Sequence, residues 1–353
     1  MKYDSTFSLN SCRKIAKIQY LKGQIPVNGC LFRKPSAEGS MSNQTYDLVC
    51  VGMALVDSII KGFDPEPVSA SGFRSVSGSL NVGGEAVNEA IAASKLGMKT
   101  GILCALGNDD AGEMVKRALQ RYGVDTGLIA VSDQTPVTTM FVNNDGSRKS
   151  ITNEAHKYNF HPEKYAAQFT DAKALILGSL FRAPFDDPEI ILQVVTQARN
   201  AGQLIFADTK LPNFRKLTLE DLKGSLPLID YITPNEDEAK YFSGETEPEK
   251  MADVFLRCGV KNVIIKLGAK GCYLKNEREE YRLPAYDIRA ADATGAGDNF
   301  AAAFAAEILR NADNRDALRF ANACGAICTT AVGAATALKN REQVLTWMAE
   351  NEG

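Results

Sequence analysis

Short apolar runs recur at Leu48–Val51, Gly101–Ala105, Ala174–Leu177, Leu204–Ala207, Tyr231–Thr233 and Asn262–Leu267. They lack the in–out alternation of a half-solvated strand, so each reads as a strand buried on both faces. Between most of them lie stretches with helical spacing, such as Ala111–Tyr122 and Pro188–Ala201. This alternation predicts an α/β fold with a mostly parallel sheet covered by helices on both faces. Ligands of such sheets sit beyond the carboxyl ends of the strands, and Asp57, Asp208, Asn235 and Gly268 each follow shortly after a strand-like run. The segment Pro136–Asn153 departs from the pattern: two β-type runs flank Asn143-Asn144-Asp145-Gly146, a hairpin signal whose turn residues tolerate positive φ.

Chemistry concentrates in Asp292-Ala293-Thr294-Gly295-Ala296-Gly297-Asp298, which runs straight into the alanine-rich Asn299–Leu309. Small residues followed by strong helix formers predict a tight turn into a helix N-terminus, where uncovered N–H groups and the helix dipole favour an anion. Gly295, Ala296 and Gly297 would form that cradle, and Asp298 beside it could accept a proton from an attacking hydroxyl. The same run also fits a plain helix start with Asp298 as N-cap. A second glycine motif, Asn81-Val82-Gly83-Gly84, leads into a helix carrying Asn88 and closed by Gly97.

Together the two motifs resemble the paired signatures of the ribokinase-like, or PfkB, carbohydrate kinases, and the resemblance extends from about Asp47 to about Ala337. It implies a ribokinase-like three-layer sandwich with a small β lid formed by segments near 61–80 and 136–155, including Phe73 to Leu80; a plain surface hairpin is the alternative for Pro136–Asn153. By resemblance, Asp57, Gly83, Gly84 and Asn88 bind sugar hydroxyls. Asn235 and Glu238 match the family's Asn-x-x-Glu element for magnesium and phosphate, acting through the water shell of the ion, although that spacing is also a helix-start signature. Lys266, Gly268 and Gly271 resemble the nucleotide-side loop; Thr294 and Asn322 fall in phosphate and adenine segments. The implied reaction transfers the γ-phosphate of ATP to a sugar hydroxyl with Mg2+, and K+ is a further candidate. Acceptors of the ribose, fructose or 2-keto-3-deoxygluconate kind are implied. A nucleoside acceptor, for which Met53, Met140 and Phe181 are candidate contacts, and a non-catalytic binding protein are the alternatives. Departures from the family pattern are Ala293, where Thr is commoner, Asp208-Thr209-Lys210, where Asp-Pro-Asn is usual in ribokinases, and Leu338-Lys339, near which a proline is common.

Composition narrows the remaining choices. A net charge of −3 over 353 residues argues against nucleic-acid or membrane-surface binding. There is no apolar run of membrane-spanning length and no continuous signal core, so a soluble cytoplasmic protein is expected, with pairing of two copies through the lid. Eight cysteines without CxxC pairs suggest neither a zinc site nor a disulfide framework. No Gly-x-x-x-x-Gly-Lys-Ser/Thr occurs, and His156 and His161 are the only histidines, which disfavours a P-loop enzyme and histidine chemistry. Lys210, Arg148 and Arg182 fit either contacts to phosphate or acid groups or solvated positions. Residues 1–40, with seven Lys or Arg against two acids, read as a disordered extension, a β-rich decoration or sequence before a start at Met41; residues 41–353 form the expected kinase domain.

Overall fold

The computed structural model describes residues 44–62, 75–145, 147–153 and 160–351. Residues 1–40, Phe73 and His156 lie outside them. The strands are β1 (Tyr46–Val51), β2 (Leu55–Lys61), β3 (Ser77–Gly83), β4 (Thr100–Leu103), β5 (Ala105–Gly107), β6 (Ala130–Ser132), β7 (Val137–Val142), β8 (Arg148–Thr152), β9 (Ala172–Leu180), β10 (Leu204–Thr209), β11 (Tyr231–Thr233), β12 (Asn262–Lys266), β13 (Cys272–Asn276) and β14 (Glu280–Leu283). The helices are α1 (Glu85–Lys95), α2 (Asp110–Arg121), α3 (Ala166–Phe169), α4 (Pro188–Asn200), α5 (Glu236–Ser243), α6 (Pro248–Arg257), α7 (Ala296–Leu309), α8 (Asn314–Thr329) and α9 (Arg341–Asn351). None of the described helices is long and apolar enough to cross a membrane.

Eight strands form one sheet in the order β14–β13–β12–β11–β10–β9–β1–β4. Pairing is parallel from β4 through β12, and β13 and β14 extend the edge antiparallel. Successive side chains of a strand point to opposite faces, and this splits the interior in two. Leu48 and Cys50 of β1 join Ile176, Phe206 and Ile264 in a core against α1, α2, α7, α8 and α9. Val49 and Val51 join Leu175, Ile205 and Val263 in the opposite core against α3, α4, α5 and α6. The apolar runs are continuous because both faces are covered. The run expected at Gly101–Ala105 is divided: β4 stays in the main sheet, while β5 pairs with β6 in a separate two-stranded sheet.

A third sheet has the order β3–β2–β7–β8. The hairpin expected at Pro136–Asn153 is β7 and β8, paired antiparallel from Thr138↔Thr152 to Val142↔Arg148. β2 sits between β3 and β7. Sequence reading began the lid near residue 61 and so left out nearly all of β2, whose short, partly buried Leu-Val-Asp-Ser-Ile-Ile-Lys lacks a clean periodicity.

Candidate active site

α7 is buried along nearly its whole length, from Asp298 to Glu307. Its alanines allow close packing on α1 and α8, and Phe304 anchors it to the sheet through an edge contact of 5.1 Å with Tyr231. A helix apolar on all sides belongs in a core, so its N-terminus is held where the core meets the open cleft. The N-cap is Gly295, with φ of 77°, and Asp298 stands in the first turn rather than at the cap. A Cβ on Gly295 would collide with Ala334, so the left-handed backbone and the close approach both require glycine. Asp292 braces the turn: Oδ1 accepts from Thr294 N at 3.0 Å and Thr294 Oγ1 at 2.7 Å, and Oδ2 from Gly333 N at 3.0 Å. Burial works against the charge of Asp292, but these bonds and the nearby Arg148 hold its pKa below the usual value. The amide of Ala296 turns back to Ala293 O at 3.2 Å, and among the described residues the amides of Gly295, Gly297 and Asp298 have no acceptor. The expected cradle therefore loses one of its donors, and the hydroxyl of Thr294 is engaged by Asp292.

Asp298 is 7% exposed and accepts a hydrogen bond of 2.7 Å from Asn88 Nδ2 of α1. Burial, reinforced by the charges of Glu85 and Asp208 against those of Lys210 and the Asn88 bond, pushes its pKa up to about 6. Asp57 lies opposite in β2, in register with Asn81 of β3. Its carboxylate packs where a Cβ of Gly83 would be. Burial and the charge of Glu85 push its pKa up to about 6 as well. Glu85 opens α1 and pairs with Lys210 at 3.2 Å.

On the far side Lys266 Nζ pairs with Asp208 Oδ1 at 2.6 Å and lies beneath Gly297, where a Cβ would stand 3.1 Å from the ammonium. Burial alone would depress the pKa of Lys266; Asp208, Glu238 and Asp298 outweigh it and raise it. Asn235 and Glu238 form a complete capping box at the start of α5, and both carboxylate oxygens of Glu238 are engaged, by Asn235 N and Nδ2 and by Thr209 Oγ1. Among the described residues no three His, Cys, Asp or Glu side chains gather in a way that could hold a metal ion. Asn322 spends its amide N–H on Pro284 O at 2.9 Å.

The fifteen residues to which sequence reading gave catalytic, sugar, nucleotide or metal roles all line one cleft of about 1240 Å³, whereas Met53, Arg148 and Phe181 do not. Asn88 reaches Asp298 and Lys266 lies against Gly297, so the Gly83-Gly84 motif and the end of β12 both meet the start of α7. The volume exceeds that of a usual single-ligand pocket, roughly 300–1,000 Å³. Of the candidate contacts for a nucleoside base, Met140 lines the cleft, but Phe181 is buried in a stack on Phe242 with centroids 3.9 Å apart. Sequence reading did not connect Glu85 with Lys210 or Lys266 with Asp208, because ion pairs across long separations leave no local pattern.

The pfkB family carbohydrate kinase model matches residues 46–341. A ribokinase of Haemophilus influenzae is 28% identical over 274 residues, covering 75% of this chain and 87% of the relative. A 2-dehydro-3-deoxygluconokinase of Bacillus subtilis is 29% identical over 296 residues, covering 76% and 87%. The structure of Arabidopsis thaliana ribokinase complexed with ribose and ATP superposes with a TM-score of 0.73 at 25% identity, covering 86% of this chain and 99% of the other. With the family model matched across most of its length and the fold shared, the chain belongs to the pfkB family of carbohydrate kinases.

Proposed function

We propose that the protein transfers the γ-phosphate of ATP to a hydroxyl of a small sugar, with Asp298 as general base. The observation that carries this reading is the buried Asp298 carboxylate in the first turn of α7, beside free amides and bonded to Asn88 of the other glycine motif. A phosphoryl group in line between an acceptor hydroxyl and a nucleotide would meet the amides of Gly295, Gly297 and Asp298, with the Lys266 ammonium next to them. Asp57, Asn88 and the backbone at Gly83 and Gly84 would orient the sugar so that one hydroxyl faces Asp298, which takes its proton. Magnesium, when bound, would neutralise charge on the nucleotide phosphates. Asn235 and Glu238 would hold it through its water shell, since both Glu238 oxygens and Asn235 Oδ1 already accept hydrogen bonds. The sheet of β2, β3, β7 and β8 acts as a lid whose closure excludes water, a competing acceptor.

The test is Asp298→Asn. Its kcat for ADP formation should fall by about a hundredfold or more, the scale of losing a general base, while calorimetric affinities for nucleotide and sugar persist. Undiminished turnover would remove Asp298 from the chemistry.

A further inference from the structure

On the kinase reading just given, we propose that the acceptor carries an oxyanion substituent, a carboxylate or a phosphate, and that the guanidinium fork of Arg182 binds it. Four cationic side chains line the cleft: Lys61, Arg182, Lys210 and Lys266. Lys210 is neutralised by Glu85 at 3.2 Å and Lys266 by Asp208 at 2.6 Å. Lys61 is exposed, and Arg182, which is half-buried, has no counter-ion among the described residues. Its one side-chain hydrogen bond among them runs from Nε to Leu211 O at 2.7 Å. That bond fixes the plane of the guanidinium, and among the described residues both terminal nitrogens are unbonded. A partly desolvated charge without a partner is costly, and a ligand anion would relieve that cost.

Position assigns this cation to the acceptor. Arg182 follows β9, and the turn holding it is joined to the end of β10 by Lys210 N to Leu180 O at 3.0 Å. Lys210 in turn reaches Glu85 at the start of α1, directly after Gly83 and Gly84. The loop at Gly268–Gly271, which resembles the nucleotide side, follows β12 and its Lys266, whereas Arg182 follows β9, with β10 and β11 lying between those strands in the sheet. The backbone on the approach to Arg182 is also unusual. Ser179, at φ 69°, and Phe181, at φ 78°, are two of the three non-glycine residues with positive φ among the described residues. Such strain persists only where the surroundings impose it, and the buried stack of Phe181 on Phe242 does so here. A guanidinium fork matches a carboxylate or phosphate edge with two parallel hydrogen bonds, which a sugar hydroxyl does not offer.

The experiment compares kcat/KM of the full chain for matched acceptors: aldonic and 2-keto-3-deoxyaldonic acids, sugar monophosphates, and neutral sugars of the same length. Wild type should prefer one anionic class by about tenfold or more, carried mainly in KM, the scale of charge-assisted hydrogen bonds. Preference for acids identifies a carboxylate, and preference for phosphate esters identifies a phosphate. Arg182→Leu should collapse the anionic-to-neutral ratio toward one, and Arg182→Lys should restore part of it, with melting temperatures checking that both variants fold. A wild type that turns over neutral sugars as well as their acids and phosphate esters overturns the proposal and leaves the kinase reading intact. So does Arg182→Leu slowing both classes equally, which would put Arg182 on the transferring phosphoryl group. Absence of ADP formation with every acceptor defeats both readings.

Discussion

At the scale of single residues, the site is governed by carboxylates whose burial decides their charge. Asp298, pushed up to about 6, is ionised at neutral pH but becomes protonated well above the range of an ordinary aspartate, near 3.9. A protonated base cannot accept the acceptor's proton, so kcat/KM should fall as pH drops through about 6. An acid limb near pH 4 would show that Asp298 is solvated in the working enzyme. Glu89 tests the same physics through stability. It is 0% exposed on α1, and among the described residues neither carboxylate oxygen has a hydrogen-bond partner. Burial, with the charges of Asp208, Asp298 and Glu85, raises its pKa well above the ordinary 4.5. The native state therefore retains a proton that the unfolded chain releases, and native stability declines as pH rises above the unfolded value. Glu89→Gln removes this term, so its melting temperature relative to wild type should be higher at pH 8 than at pH 5. A pH-independent difference would mean that Glu89 carries the same charge in both states.

At the scale of elements, the glycines do different work from one another. Gly295 is needed twice, for a left-handed N-cap and for contact with Ala334, so Gly295→Ala should destabilise the fold by about 2–4 kcal/mol in urea unfolding. A loss below about 1 kcal/mol would show that the turn relaxes at little cost, within the spread of surface substitutions. The turn into α7 was legible in sequence because glycine and alanine act locally. The capping box of Asn235 and Glu238 was legible for the same reason. What sequence could not supply is the contact between motifs. Asn88 and Asp298 lie 210 residues apart, and the hydrogen bond joining them arises only from packing α1 against α7. The free fork of Arg182 is equally nonlocal, since it depends on which partners its neighbours Lys210 and Leu211 have found.

At the scale of the whole kinase domain, the main sheet and the β2–β3–β7–β8 sheet differ in how they are stabilised. Strands β1, β9 and β10 are buried on both faces, and that made them readable as apolar runs. β8 is exposed along its whole length, and β3 is exposed from Ser77 to Asn81. A sheet with so little apolar burial opens locally at low free-energy cost, whereas a doubly covered sheet exchanges only through larger unfolding events. The inner face of β2 carries Leu55, Asp57, Ile59 and Lys61 into the cleft at alternate positions, so an acceptor bound to Asp57 would also fasten this sheet down. Backbone amides of β2, β3 and β7 should therefore gain protection from hydrogen exchange when acceptor and a non-hydrolysable nucleotide are added together, and those of β1, β9 and β10 should change little. Equal protection in both sheets would indicate tightening of the whole molecule, and no change in the small sheet would deny it the role of a lid. On the proposed reading, closure would fall to the small sheet because its exposed strands have little apolar surface to lose on opening and, through Asp57, a direct contact to gain from a bound sugar.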